Sequence, residues 1–210
     1  AEGSAAEGSA AEGSAAEGGE LPGIDRAIAM GDIELVRAII EARPAAVNAG
    51  NNPGMPPLSA AILRKKTAIA KLLIEEGADV NATDSSQRTP AHLAVERNLP
   101  RLIAPLAAAG AKLSELDRTG WTPLHWAAAK DQLAMARALV EAGADVHKLT
   151  SRGGTVLHEA ASTGSGEMVA YALSLGIDPT VRASDGGSAL EVAREFENEA
   201  AIRLLTQPRR

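Results

Sequence analysis

Apolar residues recur along this chain in short helical runs, and the runs themselves recur. Within Thr122-Pro123-Leu124-His125-Trp126-Ala127-Ala128, the residues Leu124, Ala127 and Ala128 share one helical face. A stride of 33 residues links Leu58, Ala91, Leu124, Leu157 and Leu190. It also links Ala61, Ala94, Ala127, Ala160 and Ala193, and Gly77, Gly110, Gly143 and Gly176. A fixed period of this length marks a stacked array, in which each unit buries its apolar face only against its neighbours. Each unit reads as two helices. Thr89 and Thr122 stand as caps before Pro90 and Pro123, at a first helical position that needs no N–H. The alanines allow close approach between helices. Second helices are expected over Ile69–Glu76 and Leu133–Ala142, each followed by a glycine suited to positive φ. Asp79-Val80-Asn81 and Asp145-Val146-His147 then lead into an extended finger.

The phrases at 89–95, 122–128 and 155–161, each followed by a second helical run and then Gly-Ala-Asp-Val or a close variant, resemble ankyrin repeats over about residues 22–207. The resemblance implies an all-α solenoid: an ankyrin repeat stack of about six helix-turn-helix units with β-hairpin-like fingers. The repeats are expected at about 21–49, 50–82, 83–115, 116–148, 149–181 and 182–207. Several departures stand out. Glu41 to Ala49 is one residue longer than its counterpart Glu75 to Ala82, so the first loop is longer. Pro56 replaces the capping threonine, and Ser59 stands where the motif has histidine. Pro105 is expected inside a second helix, where an interior proline costs roughly 3 kcal/mol and bends the helix; the third repeat is therefore expected to be the least stable. The sixth repeat is rich in charge, as a terminal cap requires.

Composition changes the picture in three places. The rings are confined to Trp121, Trp126, Tyr171 and Phe196, which suits a solenoid packed with Leu, Ile, Val and Ala. Residues 1–20 repeat Ala-Glu-Gly-Ser-Ala and read as a flexible acidic spacer, either a natural tether or an engineered linker. They carry five glutamates of a net charge of −6, which leaves the rest near neutral and argues against nucleic acid as the partner. No cysteine is present, so disulfides and thiolate metal sites are excluded. No apolar run is long enough to span a bilayer. The start at Ala1 is read as loss of a preceding segment, by signal cleavage or an artificial boundary, so cytoplasmic and exported locations both stay open. Abundant alanine, and arginine in excess of lysine, are read as a bacterial source.

The histidines are the one tempting chemical cluster. Stacked helices lie roughly 8–10 Å apart, and zinc needs nitrogens at about 2.0–2.1 Å, so His92, His125 and His158 cannot share a metal. The resemblance implies instead that each bonds backbone at a finger base and ties neighbouring repeats. His147 stands outside that ladder and is expected at the surface. Gly153-Gly154 and Gly186-Gly187 fall at finger turns and form no phosphate loop. No catalytic residue, cofactor or metal is expected.

In proteins of this kind the finger tips and first helices line a concave contact face, which the resemblance carries over to specific residues here. Trp121 is the expected anchor, since finger packing does not require it. Arg64, Arg97 and Lys130, spaced by 33, form a basic stripe, and Arg88, Arg118 and Arg152 add charge at the fingers. The stripe either steers an acidic partner surface or simply solvates the first-helix ends. Met55 extends the apolar patch, and Asn52 and Pro53 are further finger positions. Trp126 is expected to be structural. The contact zone is expected across the third and fourth repeats. The leading expectation is a monomeric, non-catalytic protein-binding module acting as adaptor, inhibitor or protection factor. A structural spacer is the alternative, and an enzyme a remote one.

Overall fold

The computed structural model describes residues 21–50 and 54–207. The spacer expected over residues 1–20 and the finger positions Asn52 and Pro53 lie outside the described residues. Among those residues, twelve α-helices form six helix-turn-helix pairs: α1 (Ile24–Met30) with α2 (Ile33–Ala42), α3 (Pro57–Leu63) with α4 (Thr67–Glu75), α5 (Pro90–Glu96) with α6 (Ile103–Ala108), α7 (Pro123–Ala129) with α8 (Leu133–Glu141), α9 (Val156–Thr163) with α10 (Gly166–Ser174), and α11 (Ala189–Glu195) with α12 (Glu199–Thr206). Each first helix packs on the next first helix, α1 on α3 through to α9 on α11, and the second helices form a parallel row. The core is one continuous apolar cluster running from Ile24 to Ala201. The alanines at 61, 94, 127, 160 and 193 are all fully buried in it, so they set the closest approach between layers.

Helix starts follow from the caps. Thr89, Thr122 and Thr155 all hold extended backbone with ψ 165°. The Thr122 hydroxyl accepts the His125 amide at 3.4 Å. The fingers are closed by two backbone bonds each: the N–H of Asp84, Asp117, Thr150 and Ala183 donates to the carbonyl of Arg88, Trp121, Gly154 and Gly187, and the carbonyls of the same four residues accept from Gln87, Gly120, Gly153 and Gly186. A single β-bridge, Arg182 to Ser188, is the extent of strand pairing among the described residues. The fingers are thus hairpin-like in their turns, not in paired strands.

Pro105 departs from the expectation of a kinked interior. Pro100–Leu102 form a 3-10 helix, and α6 begins only at Ile103. Pro105 therefore sits in the first turn, where its missing N–H has no partner to lose. The cost appears as length: α6 has 6 residues, against 9 in α4 and α8.

The ends differ for physical reasons. In the first repeat the extra residue is absorbed by a 3-10 helix, Pro44–Val47. In the last, Ser188 replaces threonine and Glu191 replaces histidine. Glu191 Oε2 accepts the Ser188 N–H and hydroxyl, each at 2.7 Å. Those bonds, the amide first, hold its carboxyl down to about 2.

Two glycines at positive φ test how tightly the layers lock. A Cβ on Gly143 (φ +94°) would meet nothing, whereas on Gly120 (φ +82°) it would fall 1.8 Å from Ser151 Oγ of the next finger. Gly143→Ala is expected to cost about 1–2 kcal/mol, the left-handed backbone penalty alone. Gly120→Ala is expected to cost about 3 kcal/mol or more, because overpacking is added. Urea unfolding of the two variants measures the difference.

Candidate partner-binding face

The face is built from fingers held in register. Asp117 Oδ1 accepts the N–H of Thr119 at 2.9 Å and of Trp121 at 3.1 Å, and Asp84 Oδ1 does the same for Ser86 and Arg88. Successive fingers bond each other: Arg118 N–H to Ser86 O at 3.0 Å, Ser151 N–H to Gly120 O at 2.9 Å, and Ser184 N–H to Arg152 O at 2.7 Å.

Beneath them runs the histidine ladder. His92 Nδ1 accepts the Thr89 N–H at 3.2 Å. Its proton therefore sits on Nε2, which donates to the Trp121 carbonyl of the next finger at 3.0 Å. His158 repeats this, accepting from Thr155 N–H at 3.1 Å and donating to Gly187 O at 3.2 Å. His125 Nδ1 lies 2.8 Å from the Thr122 hydroxyl. Its buried Nε2 faces the Gly154 carbonyl without a well-formed bond. Burial holds His92 below the usual histidine range and pushes His125 down to about 4. His147 is exposed. No group of three or more metal-ligating side chains converges among the described residues, and no helix there is long and apolar enough to cross a membrane.

The basic residues separate into two kinds. Arg88 is internally committed: its guanidinium pairs with Asp84 at 2.7 Å and with Glu96, and only 23% of the side chain is exposed. Arg97 is half-buried and lies 3.8 Å from Glu96. Arg64 is exposed and donates to its own helix carbonyl at Ala60. Arg118 and Arg152 are exposed at the finger tips, and Lys130 Nζ lies over the Trp126 ring, 5.5 Å from its centroid. Met55 is half-buried against the core.

Trp121, Lys130 and Arg152 meet in one cleft of about 790 Å³. Trp126, Gly154, Glu159, Val192 and Phe196 are among the other residues that line it. The cleft thus spans the fourth to sixth repeats, sharing only the fourth with the zone expected from sequence and reaching two repeats beyond it, and Arg97 does not line it. Trp126 packs against the core and also lines the cleft, so it is structural and available at once. Phe196, 57% exposed, stands at the register of Arg64, Arg97 and Lys130. The sequence reading passed over Phe196 and Glu159. The signal was present in the register: the finger position that is Arg88 and then Trp121 becomes Gly154 in the fifth repeat. Loss of that side chain opens the cleft. Glu159 lies at its base, with Oε1 3.7 Å from where a Gly154 Cβ would be, and burial raises its carboxyl to about 7.

A family profile described as ankyrin repeats (3 copies) matches residues 24–115, and another, ankyrin repeats (many copies), matches residues 124–173. Together these cover more than half of the chain. The chain is an ankyrin repeat protein. Its stack is similar to the crystal structure of EF0377, an ankyrin repeat protein, with a TM-score of 0.81 at 24% sequence identity, covering 90% of this chain and 99% of that one. At that identity the likeness speaks for the fold alone. No curated protein matches this ankyrin sequence.

The two kinds of cation are separable by experiment. Arg88→Ala is expected to lower stability by about 1–2 kcal/mol, because Asp84 and Glu96 lose their half-buried counter-ion. Arg118→Ala is expected to stay within about 0.5 kcal/mol. Chemical denaturation compares them. A second expectation concerns pH. Buried His125 resists protonation, so its contribution is lost as pH falls from 6.5 toward 4. Glu159 keeps its proton in the fold, so its contribution is lost as pH rises from 4.5 through 7. The two oppose each other over one range. Relative to wild type, His125→Gln should lose stability toward neutral pH, and Glu159→Gln should lose it toward acid. Each effect is on the order of 2–3 kcal/mol across the window, read from urea midpoints at several pH values.

Proposed function

We propose that this ankyrin stack binds a partner protein on its concave face and acts by occupying that partner's surface, as an adaptor, inhibitor or protection factor. Ankyrin repeats in general are protein–protein interaction modules and typically non-catalytic. The observation that carries the reading here is the aromatic cleft of Trp121, Trp126 and Phe196 on the finger side of the stack. Trp121 and Trp126 are half-buried and Phe196 is exposed; accessible apolar surface rimmed by polar groups suits a protein interface, and tryptophan is enriched among residues that dominate binding energy. The fingers are bonded to one another before any partner arrives, so binding carries little ordering cost.

Arg118, Arg152 and Lys130 have no ion pair with any described residue, and they favour an acidic surface around the cleft. Arg88 is spent internally and contributes little to that field. The protein acts as a monomer in this reading.

The test is affinity capture with cross-linking from the source cells, followed by purification of the captured protein. Against that pure partner, Trp121→Ala combined with Lys130→Glu and Arg152→Glu should weaken binding by roughly a hundredfold, with the unfolding transition unchanged. Undiminished binding by this triple variant, or a wild type that captures nothing a denatured control does not, would remove the reading.

A further inference from the structure

Three carboxylates on first helices reach toward the fingers: Glu96, Glu159 and Glu191. Two of them meet an arginine from their own finger. Arg88 pairs with Glu96 in the third repeat, and Arg182 pairs with Glu191 at 3.0 Å in the sixth. Glu159 has no such arginine. Its carboxyl makes no hydrogen bond or ion pair among the described residues. The finger position that supplies Arg88 two repeats earlier is Gly154 here, beside the Glu159 carboxyl.

We propose that the cleft receives an arginine side chain from the partner protein, with its guanidinium on Glu159 and its stem against Trp121, Trp126 and Phe196. The partner supplies from outside what the chain itself supplies in the third and sixth repeats. Arginine suits the site better than lysine, because a planar guanidinium forks onto a carboxylate and stacks on aromatic faces. This assignment rests on the docking reading above and deepens it: one arginine set within a largely acidic surface.

The charges around Glu159 leave room for that guest. Lys130, just past the C-terminal end of α7, is turned over the Trp126 ring, and His125 on α7 is held neutral at neutral pH. His158 precedes Glu159 on α9, and its Nε2 is committed to Gly187. Arg152 and Asp185, from adjacent fingers, stand on the rim with opposite signs. Burial alone shifts the Glu159 carboxyl, and no neighbouring cation offsets it. An arriving guanidinium would therefore displace a proton from this carboxyl, which links binding to pH.

The test uses the full chain and three blocked tripeptides, acetyl-Gly-X-Gly-amide, with X as Arg, Lys or Glu. Tryptophan fluorescence and amide chemical shifts report binding, which for so small a probe lies in the millimolar range. The arginine peptide should bind tightest, and roughly tenfold more tightly at pH 8 than at pH 6, as a carboxyl titrating at about 7 gains its charge. Glu159→Gln should weaken it roughly tenfold at pH 8 and flatten the pH dependence. Gly154→Arg, which sets a guanidinium beside Glu159 from within the chain, should block the probe. The assignment is overturned if the glutamate peptide binds as well as the arginine peptide, if Glu159→Gln binds arginine unchanged, or if folded wild-type protein binds none of the three. Should Glu159→Gln still hold the purified partner with full affinity, the arginine assignment fails and the docking face stands. Should the peptide bind while no partner is ever captured, the docking reading fails and the subsite stands.

Discussion

Every layer of this molecule covers its apolar face only with the layers beside it. The buried alanines at 61, 94, 127, 160 and 193 set how closely one first helix lies on the next. Once that spacing is set, each further feature must recur in phase with it, and the 33-residue stride is the visible result. The histidines show the constraint most directly. His92 and His158 each span 29 residues to bond the following finger. Such a bond exists only where a following finger exists. At the same register in the sixth repeat the chain carries Glu191 in place of histidine, and Glu191 closes onto Ser188 of its own cap. A second set of ties runs along the other edge: Asn48 and Asn81 side chains accept the amides of Asp79 and Lys112, and Ser114 accepts that of Asp145.

A stack locked this way leaves its fingers free to vary in chemistry without varying in shape. The register of Arg88, Trp121 and Gly154 makes the point. In the third repeat it holds an internal ion pair, in the fourth an aromatic wall, and in the fifth nothing. Backbone bonds between fingers persist through all three. Recognition is therefore written in side chains on a frame that need not move.

The frame was legible in the sequence because it repeats: strides of alanine, glycine and the Thr-Pro cap each report a backbone requirement with few solutions. Pro105 was misjudged because nothing local announces that residues 100–102 wind as a 3-10 helix, which moves the α-helix start to within two residues of the proline. Arg88 looked like a free cation, yet Asp84, four residues earlier, already marked it as paired. The cleft escaped notice for a different reason. It is made by a missing side chain, Gly154, and a search for chemistry looks for groups that are present. Only comparison of the same register across repeats turns that absence into a signal.

Glu159 remains the residue that folding alone does not account for. At its register the second, third, fourth and sixth repeats carry Ala60, Leu93, Trp126 and Val192, all apolar. A carboxyl in that place is desolvated without a partner, and burial pushes it up to about 7. An apolar residue there would relieve the cost, so the stack holds a destabilising group in the cleft lined by Trp121, Trp126 and Phe196. Local rules broken in that way concentrate where a protein meets something else. The stability forgone at Glu159 marks the place where the fold is incomplete by itself.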